Sequence, residues 1–71
     1  MKKSQKLRVI VNGVSFYTTV GQIRCNVGDS VRINEAVLSA LTALTNQRKT
    51  TDYATGLAGC WNNVDVQITV L

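Results

Sequence analysis

The sequence predicts an α+β domain, and three observations carry that expectation. An Asn-Gly dipeptide sits between two apolar runs, one stretch has a helical apolar period, and the closing residues alternate strictly. Residues 7–20 come first and read as a β-hairpin. A type I′ turn needs positive φ at both central residues, and Asn12-Gly13 tolerates that better than almost any other pair. A two-residue loop then sets the register: Val11 opposite Val14, Val9 opposite Phe16, Leu7 opposite Thr18. Leu7, Val9, Val11, Val14 and Phe16 therefore share one face. The other face pairs Ile10 with Ser15 and Arg8 with Tyr17, the latter within range of a cation–π contact.

Gly21 suits a turn or bulge, and Ile23, Cys25 and Val27 alternate with polar residues. Residues 22–27 are expected as a third strand or a continuation of the second, ended by Gly28-Asp29. A helix is expected from Asn34, whose side-chain oxygen can accept from first-turn amides. Glu35 suits the positive end of the helix dipole, and Ile33 with Leu38 makes a hydrophobic staple. Val37, Leu38, Leu41 and Leu44 form the apolar stripe. Ala36, Ala40 and Ala43 widen it, either as sheet cover or as a seat for a second helix. Val64, Val66, Ile68 and Val70 alternate with Asp65, Gln67 and Thr69, as a half-buried strand requires.

The sum is a hairpin and one helix packed on a small three- to four-stranded mixed sheet. It resembles a β-grasp arrangement in element order, with a crossover helix returning the last strand parallel to an earlier one. Residues 1–6 are expected as a basic disordered tail and residues 7–71 as a single domain.

A chain of 71 residues buries only about 60 % of its unfolded surface, so a partner subunit would reinforce a marginal core. The charge of +4 favours an anionic partner, although Lys2, Lys3, Lys6 and Arg8 supply half of the cations. No apolar run suits a signal peptide or approaches the ~20 residues of a membrane span, so a cytoplasmic protein is expected. Cys25 and Cys60 read as free thiols buried as small hydrophobes.

The residues argue against catalysis. The chain has no histidine, hence no imidazole acid–base and no usual zinc or copper site. Cys25 and Cys60 are not a C-x-x-C pair, and Asp29, Glu35, Asp52 and Asp65 are scattered. No catalytic residue, metal site or cofactor is expected.

Residues 48–63 join helix to final strand without a clear period, and long structureless connections are often functional. Arg48 and Lys49 stand beside Tyr53 and Trp61, with Gly56 and Gly59 allowing close backbone approach. Rings and cations together can hold a base by stacking and a phosphate by charge. Arg24 and Arg32 would add charge. Three of these residues also have a plain role: Trp61 as a buried anchor, Arg48 and Lys49 as complements to the helix dipole.

Two functions are expected on this basis. The first is a self-associating, non-catalytic binding protein that holds a nucleotide-like small molecule or single-stranded nucleic acid through residues 48–63. The second is a protein–protein module, such as the small inhibitors and adaptors encoded by phages, acting through a sheet edge or helix face.

Overall fold

The computed structural model describes residues 2–25, 31–50 and 55–71. Two hairpins flank two helices: β1 (Lys6–Val11), β2 (Val14–Thr19), α1 (Val20–Cys25), α2 (Val31–Thr50), β3 (Gly56–Trp61) and β4 (Val64–Val70). The four strands form one sheet in the order β2-β1-β4-β3. Every neighbouring pair is antiparallel. The α+β class is thus present, but the sheet is not mixed. β4 returns antiparallel to β1 because a second hairpin, not a bare crossover, delivers it.

The first hairpin has the register that its turn dictates, from Val11↔Val14 to Leu7↔Thr18. Asn12 and Gly13 hold φ of 49° and 88°. The second hairpin repeats the device with Asn62 and Asn63 at φ of 53° and 61°. Asparagine is the side chain that best tolerates this left-handed region, so Asn-Asn serves where Asn-Gly would be usual. Asn12 also joins the hairpins: its amide donates to the Asp65 carbonyl at 2.9 Å, and its Oδ1 accepts from the Asp65 amide at 3.1 Å.

Residues 20–25 are helical, which overturns the expected third strand there. The cause is local. Thr19 Oγ1 accepts from the Gln22 amide at 3.3 Å, as an N-cap does three residues ahead. The Val20 and Gly21 amides donate to the carbonyls of Gln5 and Lys3, so the first turn has its donors satisfied. Gly21 is tight against this segment: a Cβ there would sit 3.3 Å from the Lys3 carbonyl oxygen. Gln5 Nε2 also donates to the Leu71 carbonyl at 2.9 Å, so residues of the basic N-terminal segment clasp both α1 and the chain's last residue.

α2 begins at Val31, not Asn34, and runs 20 residues. Asn34 and Ile33 therefore lie inside the first turns, not at a cap and staple, and the residues ahead of Val31 lie outside the described set. Ala36, Val37, Ala40, Leu41 and Leu44 are buried, so two of the alanines serve as sheet cover and Ala43 is half-buried. They close over Leu7, Val9, Val11, Val64, Val66 and Ile68, with Val20 and Ile23 of α1 completing the core. Val14, placed on this face by the register, is 68 % exposed because it flanks the turn beyond the helices' reach.

The expected loop over 48–63 is overturned in most of its length. Residues 48–50 are the last turn of α2, and 56–61 form the edge strand β3. Leu57, Gly59 and Trp61 of β3 face the core-facing residues Ile68, Val66 and Val64 of β4. The Trp61 ring folds back over Gly59, where a Cβ would lie 2.8 Å from its Cη2. Gly56 is needed for a different reason: a Cβ there would come within 2.8 Å of the Ile68 carbonyl oxygen.

Candidate functional site

Both helices pack on one face of the sheet, so among the described residues the other face is left open. Register assigns its side chains. Lys6, Arg8 and Ile10 of β1 lie beside Thr19, Tyr17 and Ser15 of β2. On the other flank Arg8 meets Thr69 and Ile10 meets Gln67. Gly56, Ala58 and Cys60 of β3 finish the rows against Thr69, Gln67 and Asp65.

Tyr17 dominates this surface. Its side chain is 72 % exposed, and Arg8 stands directly opposite it across β1 and β2. A hollow of about 390 Å³ opens beside the ring, bounded by Lys6, Tyr17, Thr19 and Leu71. A second shallow hollow of about 500 Å³ lies between Ile10, Ala58, Cys60 and Gln67, where small side chains lower the surface. Asp65 is the one acidic side chain on this face among the described residues, at the end away from Tyr17 and Lys6.

Of the six residues expected to form one site, Arg24 and Lys49 share one place, Arg32 lies at another, and Tyr53 lies outside the described residues. Arg24 and Lys49 share a groove with Thr42 and Asn46 between α1 and α2. Its volume of about 210 Å³ is below the range that encloses a nucleotide-sized ligand. Arg32 lies 17 residues before Lys49 on the same helix, about 25 Å away at 1.5 Å per residue. Its Nε donates to the Asn62 carbonyl at 2.7 Å, so it ties α2 to the β3–β4 turn. Trp61 is half-buried and packs against the core, as its plain role as an anchor requires. Arg48 is half-buried on the last turn of α2, and Tyr53 lies outside the described residues. Cys60 is exposed on the open face rather than buried, because β3 is an edge strand and even-numbered positions turn outward. The side chain of Cys25 lies outside the described set.

Tyr17, Arg8 and Lys6 were not among the expected site residues. Their signal was present in the hairpin register, which sets Arg8 against Tyr17 on the face opposite the core. Among the described residues no three of Cys, Asp and Glu gather to hold a metal ion. No described helix is long and apolar enough to cross a membrane. Comparison with known families, curated proteins and solved structures gives no match.

Proposed function

We propose that the protein is a non-catalytic binding module for single-stranded nucleic acid, which lies across the open face of the sheet. The observation that carries this reading is an exposed Tyr17 with Lys6 and Arg8 beside it on an uncovered antiparallel sheet. A four-stranded sheet is flat enough to let unpaired bases lie on it, and an aromatic ring stacks any base regardless of sequence. Lys6 and Arg8 then stand where the sugar–phosphate strand passes the ring. Thr19, Thr69 and Gln67 offer hydrogen-bonding groups along the same face. The net charge of +4 adds a long-range attraction for a polyanion. Relative to the expected site, the ring is Tyr17 rather than Tyr53 or Trp61, and the platform is a sheet rather than a loop.

The test is fluorescence anisotropy of short labelled single strands. Stacking on an aromatic side chain contributes about 1–3 kcal/mol per base, so Tyr17→Ala should weaken binding roughly 5- to 150-fold while Tyr17→Phe stays near wild type. Lys6→Ala should lower the slope of log affinity against log salt by about 0.7, one phosphate's worth for a single strand. Equal affinity for wild type and Tyr17→Ala, or a slope of zero, rules the reading out.

A further inference from the structure

Which backbone groups of the edge strands are unpaired follows from the hydrogen bonds. The Val70 amide donates to the Thr55 carbonyl at 2.7 Å, so odd-numbered residues of β3 exchange bonds with β4. Gly56, Ala58 and Cys60 therefore direct their N–H and C=O groups away from the sheet. By the same logic, Ser15 and Tyr17 do so on β2. Open edges usually carry lysine, proline or a bulge as protection. Neither β2 (VSFYTT) nor β3 (GLAGCW) contains a charge or a proline, and both pair without a skipped residue.

Charge distinguishes the two edges. Behind β2 stand Lys6 and Arg8, with Lys3 hydrogen-bonded at the strand's far end through Gly21. Pairing two copies through β2 would bring those cations together. Behind β3 stands β4, whose side chains include Asp65 and Gln67 but no cation. Of the two strand edges, that of β3 thus has fewer like charges behind it, one carboxylate per copy against three cations.

We propose that β3 pairs with β3 of a second copy, antiparallel about a two-fold axis, joining two sheets into one. With Gly59 of both copies at the axis, Leu57 lies opposite Trp61 of the second copy on the helix side. On the open side Ala58 lies opposite Cys60. This register pairs Ala58 with Cys60 through their outward amides and carbonyls, and it leaves no charged residue in the seam.

The helices permit the approach. α2 packs on both β3 and β4. Two copies related in this way set their α2 helices about two strand spacings apart, ~10 Å, which matches the usual helix–helix distance. Among the α2 residues outside the core, Ser39 and Ala43 follow Arg32 at helical spacing and carry small side chains. Those small side chains leave room for a second backbone. The joined sheet also makes one continuous open face from two, but the pairing is independent of what binds there.

Light scattering coupled to size exclusion, together with amide exchange, tests the pairing. The wild-type chain is expected to elute with twice the 7.7 kDa monomer mass. The Ala58 and Cys60 amides should be protected, and those of Ser15 and Tyr17 should not. Ala58→Pro removes a donor that the monomer's own sheet does not use, so it should give a folded monomer. Ala58→Lys should do the same by charge repulsion, and it serves where the proline variant fails to fold. Ser15→Pro on the other edge should leave the dimer intact. A wild-type monomer at millimolar concentration overturns the proposal, as does a dimer that survives Ala58→Lys or unprotected Ala58 and Cys60 amides in the dimer.

Discussion

Gly59→Ala is the substitution that most sharply separates local preference from packing in this fold. Taken alone, alanine is better than glycine inside a strand by about 0.5–1 kcal/mol, because glycine loses more backbone freedom on folding. The structure reverses that sign. A Cβ at position 59 would lie 2.8 Å from Trp61 Cη2 and 3.0 Å from Cζ3, closer than carbon atoms approach. The ring must swing off its seat and give up packing against the core, and overpacking of this kind costs about 1–3 kcal/mol. The net expectation is a loss of about 0.5–2 kcal/mol in urea denaturation. Trp61 is the chain's single tryptophan, so its emission should shift red as the ring gains exposure. Trp61→Leu removes the obstacle. In that background Gly59→Ala should become neutral or stabilising, giving a coupling energy of at least ~0.5 kcal/mol in the double-mutant cycle. Equal effects of Gly59→Ala in both backgrounds would refute the explanation of why residue 59 is glycine.

Other substitutions follow the same logic. Leu44→Ala empties a fully buried position between α2 and the sheet and should cost about 2–5 kcal/mol by denaturant unfolding. Thr19→Ala removes the cap of α1 and should cost about 1 kcal/mol, with amide exchange rising first at Gln22. Asn63→Gly keeps the positive φ of 61° and should leave the melting temperature unchanged or raise it, whereas Asn63→Val should lower it by about 1–2 kcal/mol of stability.

The parts of the fold legible in the sequence are those set by neighbours in the chain. The Asn12-Gly13 turn determines the β1–β2 register without reference to anything distant. β4 announces itself by alternation from Val64 to Val70. The apolar stripe of α2 is likewise local, though its start is not: Val31 and Arg32 join the helix as Arg32 reaches across to Asn62. α1 carried a readable signature in Thr19-x-x-Gln22, but the alternation of Ile23 and Cys25 mimics a strand. β3 was the hardest to see. Its composition of two glycines, an alanine and a cysteine has little strand preference, and its glycines answer to contacts with Trp61 and Ile68 that only the folded chain creates. Taking that stretch for a loop drew attention to Trp61 and away from Tyr17, which the structure leaves exposed on the open sheet face.

The proposed binding face can be tested directly by nuclear magnetic resonance, titrating the ¹⁵N-labelled chain with a short unlabelled single strand. The largest shifts should fall on Lys6, Arg8, Tyr17, Thr19 and Thr69, with Arg24 and Lys49 in the groove between the helices unmoved. Shifts confined to that groove, or none anywhere, would contradict the assignment of the open sheet face as the place where a nucleic-acid strand is held.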